Sequence, residues 1–265
     1  MNKLIRPLAL AAGLTLGLAA SYARADTIQS LNIADLSASQ FNSDFKAIGD
    51  APAITSPFTY AGSSGPSGTV TSQVFQGTGA EAGLFAYAFQ YSLNNTTSSA
   101  GPVDLRATAT PFNSTPVGTD LTGTGTTNYV YAISDGKIGG LAAPTAGSGQ
   151  GILQPTSVLW SPNSTTGSLL TTYFDPSNGI ASLKAGATSA TFVVLSSQPF
   201  TKGNVAILGS APIDPGSQLT TTYTTTPGSV DPIPVPEPAT VLAWTGMLGA
   251  VALVRRVRKN RLAVA

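Results

Sequence analysis

The sequence predicts an all-β protein whose body, residues 26–226, is an antiparallel β-sandwich. The body is rich in Thr, Ser, Gly, Ala and Asn and has almost no helical periodicity. Short β-branched or aromatic runs recur in it between turn-forming residues, which is typical of strands in two packed sheets. A β-solenoid is the alternative, but the sequence has no fixed repeat period of the kind that solenoids show.

The clearest strand signal is the stretch GLFAYAFQYSL, residues 83–93. Strict alternation with a period of two places the large apolar side chains on one face of a strand and the small or polar side chains on the other. The large set comprises Phe85, Tyr87, Phe89, Tyr91 and Leu93, and the other set Ala86, Ala88, Gln90 and Ser92. This segment is therefore predicted to be a central core strand.

Six further segments have the length and composition of strands and are bounded by turn formers. They are GTVTSQVFQ (68–76), NYVYAI (128–133), TSVLW (156–160), SLLTTYF (168–174), TSATFVVLS (188–196) and NVAILGS (204–210). Trp160 ends one of these strands and is predicted to be a core residue, with stacking on a sugar as the alternative. The abundant Thr and Ser of TTGSLLTTYF and LTTTYTTTPGS are expected at solvent-facing strand positions, with an O-glycosylated or sugar-facing surface as the alternative.

One helix is expected in SASQFNSDFKAIGD, residues 37–50. Phe41, Phe45 and Ile48 recur at the i, i+4 and i+7 positions of one helical face. Gly49 is then expected to end the helix.

The charge distribution excludes a nucleic-acid-binding body. Twelve carboxylates lie between Asp26 and Glu237 against five scattered cations, which gives this region a net charge of −7. Neutralising phosphates requires clustered Lys and Arg, and this region has no such cluster.

The chain contains neither Cys nor His. A disulfide framework, a thiolate site and a Ser-His-Asp triad are therefore excluded, and we expect no cofactor, no metal and no enzymatic activity. Most carboxylates stand beside turn formers, among them Asp120 and Asp135, and are expected to bond their own backbone. A secreted hydrolase that uses two acidic residues about 5 to 10 Å apart remains an alternative.

Residues 1–25 have the pattern of a cleaved signal peptide. Lys3 and Arg6 precede an apolar stretch from residue 8 to residue 20, and Ala23 and Ala25 supply the small residues that signal peptidase reads. Cleavage there leaves Asp26 as the mature N-terminus. A buried helix and an uncleaved anchor are the alternatives.

The C-terminal region divides into three parts. Five prolines in residues 227–238 predict an extended linker. Residues 239–254 are uncharged and would form a transmembrane helix of about 24 Å, slightly shorter than the ~30 Å hydrocarbon core. Residues 255–265 form a basic tail that is predicted to stay on the cytoplasmic side, with Arg255, Arg256, Arg258 and Lys259 as its membrane stop signal.

The arrangement VPEPAT (235–240), apolar run and Arg-rich terminus resembles a PEP-CTERM sorting signal. The resemblance covers about the last 30 residues, and all three parts occur in order. It implies a bacterial exported protein that is processed by an exosortase, a membrane-embedded cysteine protease, with Pro236, Glu237 and Pro238 as the recognition motif. Such systems accompany exopolysaccharide production and biofilm formation. A permanent single-span anchor on a proline-rich stalk is the alternative.

Together these observations predict an exported protein that resides in the inner membrane during sorting and then at the cell surface or outside the cell. Its expected partners are signal peptidase, an exosortase, the membrane and an exopolysaccharide. Its body is expected to have a structural or adhesive role in the extracellular matrix. The alternative is a carbohydrate-binding or adhesin module, which exposed aromatic side chains in a row on one sheet would favour.

Overall fold

Two large β-sheets pack face to face in a computed structural model of the protein. The structure describes residues 27–60, 65–94, 97–98, 101–102, 104–147, 151–162, 168–174, 183–209 and 218–226. These residues belong to one compact unit, Asp26–Asp231. The all-β prediction is thereby confirmed for the body. The predicted signal peptide (1–25), linker (227–238), transmembrane helix (239–254) and basic tail (255–265) lie outside the described residues.

The first sheet, which we call the front sheet, has six strands. In spatial order they are β1 (Gln29–Leu31), β11 (Ser157–Ser161), β12 (Leu169–Tyr173), β9 (Leu105–Pro111), β14 (Phe200–Gly209) and β15 (Gln218–Thr225). Every pairing within it is antiparallel.

The second sheet, which we call the back sheet, has a path of six strands and one side strand. The path is β2 (Ile33–Asp35), β10 (Val130–Ile133), β13 (Thr191–Ser196), β6 (Phe85–Leu93), β5 (Gly68–Gly77) and β3 (Phe45–Ala47), and β4 (Ile54–Phe58) also pairs with β5. A small hairpin joins β7 (Thr97–Ser98) to β8 (Gly101–Pro102). All seven segments predicted as strands are confirmed.

One pairing differs from the predicted antiparallel arrangement, because β2 runs parallel to β10. The strands β1 and β2 are two halves of one segment that changes sheets at Asn32. The carbonyl oxygen of Asn32 accepts hydrogen bonds from the backbone N–H groups of Tyr129 and Val130. Because antiparallel pairing with β11 fixes the direction of this segment in the front sheet, its second half reaches the back sheet parallel to β10.

The core strand β6 is buried on both faces. Its large aromatic side chains point towards the front sheet, where the ring of Tyr87 lies 5.3 Å from that of Phe112 and the ring of Tyr91 lies 5.6 Å from that of Phe174. Ala86 belongs to a second apolar cluster on the opposite face of the back sheet. The alternation predicted from the sequence therefore separates two cores.

The second core exists because a helix covers the back sheet. Helix α1 (Ala38–Asp44) begins with a capping box formed by Ser37 and Gln40, and the carboxylate of Asp135 accepts a hydrogen bond from the N–H of Ala38 at 2.8 Å. Phe41 is fully buried and lies against Phe75 of β5, with ring centroids 5.0 Å apart.

Two buried glutamines fasten a loop over the same face. The side chain of Gln73 accepts a hydrogen bond from the N–H of Gly140 at 2.7 Å, and the side chain of Gln90 donates one to the carbonyl of Ala142 at 2.8 Å. Gly139 adopts φ +51°, and a Cβ there would lie 2.4 Å from the amide oxygen of Gln73. The loop can approach the sheet this closely only with glycine at position 139.

The predicted helix is confirmed at its start, but its predicted end at Gly49 is wrong. The helix ends at Asp44, and Phe45 has extended backbone angles, φ −129° and ψ 141°. Phe45 pairs with Gly77 at the edge of the back sheet. This tertiary pairing overrides the helical spacing, and Ile48 is only half-buried.

The expectation that the Thr-rich stretches face solvent is wrong at several positions. Thr172, Thr220, Thr222 and Thr224 are buried, as are Thr108 and Thr110 of β9. Two of these hydroxyl groups illustrate how the interior accepts them: the Tyr91 phenol donates to Thr108 at 3.2 Å, and Thr224 donates to the carbonyl of Pro111. Threonine fits these two positions because its methyl group packs while its hydroxyl group forms a hydrogen bond.

Buried tyrosines are expected to make the protein unstable above pH 10. Burial raises the pKa of Tyr91 from 10.0 to about 12. The unfolded chain releases this proton near pH 10, whereas the folded chain keeps it, so unfolding becomes more favourable as the pH rises between these values. We expect the free energy of unfolding to fall across this range, by roughly 3 kcal/mol from Tyr91 alone, in urea titrations. The Tyr91→Phe variant should show a smaller fall, and an equal fall would contradict the assignment.

Two buried threonines should respond in opposite directions to replacement by valine. The Thr222 hydroxyl has no hydrogen-bond partner among the described residues, whereas the Thr108 hydroxyl accepts from Tyr91. Thr222→Val should therefore raise the free energy of unfolding by about 1 kcal/mol, and Thr108→Val should lower it by about 1 kcal/mol. Urea denaturation of both variants measures the difference. A loss of stability in Thr222→Val would show that its hydroxyl group is bonded.

Candidate functional surface

The residues predicted to direct processing all lie outside the described part of the chain. They are Ala23, Ala25, Pro236, Glu237, Pro238, Arg255, Arg256, Arg258 and Lys259. Among the described residues, no helix has the length and apolar character needed to cross a bilayer. The predicted processing and membrane elements therefore stay predictions.

Two carboxylates of the body join segments that are distant in sequence. Asp135 accepts a hydrogen bond from the N–H of Ala38, 97 residues away, which differs from the local turn role expected of it. Asp104 forms an ion pair with Lys184, with 2.9 Å between Oδ2 and Nζ. Both side chains thus connect parts of the scaffold.

Asp120 has the local turn role that the sequence predicts. Its carboxylate accepts hydrogen bonds from the hydroxyl group of Thr122 and from the backbone N–H groups of Thr124 and Gly125. These bonds, the one from Thr122 first, hold the pKa of Asp120 below its usual value. The carboxylate closes the loop that carries it.

One carboxyl pair bears on the hydrolase alternative. Glu81 lies on the 3₁₀ turn Gly79–Glu81, and Asp44 ends helix α1. Partial burial, and then the negative charge of Asp44, raise the pKa of Glu81. Electrostatic coupling between two carboxyl groups is a property of acidic catalytic pairs, but it also occurs in structural clusters.

Trp160 is a core residue, as predicted. Its side chain is fully buried and its indole N–H donates a hydrogen bond to the carbonyl of Phe112 at 3.2 Å. Stacking of this side chain on a sugar is thereby ruled out. Within the ranges that the structure describes, no three carboxylates come together as a group that could hold a metal ion.

The outward side of the front sheet is the most distinctive described surface. Three rows of side chains cross its central strands β11, β12 and β9, and we call these nine residues the open face. The rows are Ser161–Leu169–Pro111, Leu159–Thr171–Ala109 and Ser157–Tyr173–Ala107. Burial alternates along β11 and β12, with the inward residues buried and the outward ones half-buried or exposed.

The open face is uncharged and partly apolar. Leu169 and Tyr173 are each 38% exposed and, with Ile28 beside β1, make up the exposed large hydrophobic side chains of the described residues. The six strands of the front sheet contain no Asp or Glu. Leu169 and Tyr173 therefore share one neutral face, at the two ends of β12.

The sequence predicts the strand at 168–174 but does not distinguish its outward face from its inward one. Both of its alternating sets mix apolar and hydroxyl side chains, because Leu169, Thr171 and Tyr173 point outward while Leu170 and Thr172 point inward. A period-two pattern identifies a face only when the two sets differ in polarity. One sequence feature does distinguish the front sheet: its strands contain no acidic residue, although the body is acidic overall.

Comparison of the chain with protein-family models, with curated proteins and with solved structures found no match.

The coupling between Asp44 and Glu81 can be tested directly. We expect Asp44→Asn to lower the pKa of Glu81 towards its usual value, because it removes a nearby negative charge. An NMR titration that follows the Glu81 side-chain carboxyl carbon measures the change, with the exposed Asp50→Asn as the control that leaves it unaltered. If the pKa of Glu81 is the same in Asp44→Asn as in the wild type, the two carboxyl groups do not interact. The hydrolase alternative would then have no support from this pair.

Proposed function

We propose that the protein is exported and sorted to the bacterial cell surface or extracellular matrix through its C-terminal segment, where its body has a structural or adhesive role. The observation that carries the proposal is the order of three elements in residues 235–261: VPEPAT, an uncharged run and an Arg-rich end. An N-terminal segment with the pattern of a signal peptide precedes the body and supports export.

Physical reasoning supports the role of each element. Five prolines within residues 227–238 predict an extended backbone without internal hydrogen bonds, which is the form that a protease cleft accepts. The adjacent apolar run would hold the Pro236–Glu237–Pro238 motif at the membrane surface, within reach of an exosortase. The four cations Arg255, Arg256, Arg258 and Lys259 would keep the tail on the cytoplasmic side.

The body supports a structural or adhesive role through its charge distribution. Three of its described carboxylates stabilise the scaffold itself, since Asp135 caps a helix, Asp104 pairs with Lys184 and Asp120 closes a loop. Its open face is neutral, so this surface could contact other matrix components without electrostatic repulsion. Contact with an exopolysaccharide is part of this proposal.

A carbohydrate-binding module would present exposed aromatic side chains in a row. Among the described residues, Tyr173 is the single aromatic side chain in the exposed large hydrophobic set. The remaining open-face residues are Ser, Thr, Ala, Leu and Pro. No specific observation therefore favours a dedicated sugar-binding site over a general adhesive surface.

The sorting proposal predicts the mass of the mature protein in the cells that produce it. We expect intact-mass spectrometry to find a chain that lacks residues 1–25 and the segment beyond the Pro236–Glu237–Pro238 motif. Glu237→Ala should abolish the second cleavage and leave the chain in the membrane fraction. Asp231→Ala, which removes a carboxylate from the same linker outside the motif, is the matched control and should be processed normally.

Two results would contradict sorting. A mature wild-type chain that retains Arg255 and the residues after it would be a permanent anchor. Normal processing of Glu237→Ala would show that the motif is not what the protease recognises.

A further inference from the structure

We propose that the body rests on the membrane surface at one end of the front sheet, with the side chains of Ile28 and Leu169 against the lipid headgroups. The partner of this surface is thus a phospholipid bilayer. The inference rests on the proposed function, because it takes the C-terminal segment as the attachment to the membrane. We call the end of the front sheet at which β1 begins the near end, and the opposite one the far end.

Antiparallel pairing brings both ends of the described body to the near end. The front sheet has six strands, with β1 and β15 at its two edges, and all five pairings between neighbours are antiparallel. The two edge strands therefore run in opposite directions, so β15 ends where β1 begins. The described body consequently starts at Thr27 and finishes at Thr226 on the same side of the molecule.

The lengths of the two connections favour the near end as the one that meets the membrane. Thr27 follows the predicted cleavage site at Ala25 by two residues, so an uncleaved signal peptide would hold β1 at the bilayer surface. Residues 227–238 separate Thr226 from the proposed membrane segment, and an extended chain of this length reaches at most about 37 Å. The far end is ~33 Å more distant, because β14 is ten residues long. The linker therefore brings the near end to the lipid more readily than the far end.

The near end carries two of the three exposed large hydrophobic side chains of the described residues. Ile28 is 59% exposed and Leu169 is 38% exposed. Leu169 pairs with Ser161 of β11, and the registers of β11 place Ile28 on the other side of Ser161, in the same row. Aliphatic side chains on the side where the chain leaves for the membrane are suited to the boundary between headgroups and acyl chains.

The charges at the near end indicate which side of it meets the lipid. The front-sheet strands contain no Asp or Glu, and Lys202, close to the start of β14, is exposed. A lysine near aliphatic side chains fits a surface of anionic lipid headgroups.

Acidic side chains lie on the back-sheet side of the same end. The ring of Phe85, at the start of β6, is 6.5 Å from that of Phe200, at the start of β14. The 3₁₀ turn that carries Glu81 precedes β6 and is therefore also at the near end, and the charge of Asp44 acts on Glu81. Anionic headgroups repel these carboxylates, so we expect the body to lean on its front sheet.

The far end would then point away from the membrane. The loop 142–146 lies there, because Thr145 pairs with Thr188, which also pairs with Ser92 near the end of β6. Most residues of this loop are exposed. A body that rests on its near end presents this loop to the outside.

The chain contains no cysteine, so single thiols can report the distance to the lipid. Ser30→Cys places a thiol on the same face of β1 as Ile28, and Ala143→Cys places one in the loop at the far end; both positions are exposed. Each full-length variant is labelled with a fluorophore and reconstituted into vesicles of phosphatidylethanolamine and phosphatidylglycerol that carry a quenching spin label on their headgroups. We expect several-fold stronger quenching at residue 30 than at residue 143.

Two further variants test the contact and the tilt. Leu169→Asp, added to Ser30→Cys, should abolish the excess quenching at residue 30, because anionic headgroups repel a carboxylate. The same Asp at Ala143, added to Ser30→Cys, is the matched control and should leave the quenching unchanged. Ala80→Cys, at an exposed position beside Glu81, reports on the back-sheet side and should be quenched less than residue 30.

Flotation of the vesicles separates failure of this inference from failure of the proposed function. If the full chain does not float with the vesicles, it has no membrane segment and both proposals fail. If it floats but residues 30 and 143 are quenched equally, or residue 80 is quenched more than residue 30, the body does not rest on this surface and the present inference alone fails. Unchanged quenching at residue 30 in Leu169→Asp would likewise overturn the contact with the headgroups.

Discussion

The architecture depends on the alternation of large and small side chains along β6. Tyr87 and Tyr91 fill the space between the two sheets, and Ala86 on the other face belongs to the same apolar cluster as Phe41 of helix α1. A large residue at position 86 would push Phe41 outward, and a small one at position 91 would leave a cavity between the sheets. One strand therefore sets the spacing of both layers that pack on the back sheet.

The interior between the sheets is more polar than its aromatic content indicates. Threonines of β9, β12 and β15 line the inner side of the front sheet, and the Tyr91 phenol reaches across to Thr108. A protein without cysteine has no covalent cross-link to align its sheets, so hydrogen bonds between them can fix their registration. Burial of each hydroxyl group has a desolvation free energy, which is offset only where the group forms a hydrogen bond inside the protein. The stability of the body is thus tied to the accuracy of its packing.

The sequence predicts the structure correctly where a local pattern and the tertiary environment favour the same conformation. The strand 83–93 and the burial of Trp160 could be predicted because alternation and a bounding turn point to the same structure. The end of the helix could not, because the pairing of Phe45 with Gly77 joins residues that are far apart in sequence. Which side chains of β12 point outward could not be predicted either, since threonine suits both faces of a strand. The open face itself emerges only when three strands that are distant in the chain are brought side by side.

The segment that changes sheets at Asn32 imposes an order on folding. Synthesis makes residues 29–35 early, yet their partners in β10 and β11 follow about a hundred residues later. Contacts of such long range form slowly, so this segment waits unpaired while the rest of the chain is completed. It is short and ends in Asp35, features that limit its pairing with foreign strands. A chain interrupted before β11 can therefore still pair β2 with β10, but it has no strand to pair with β1 in the front sheet.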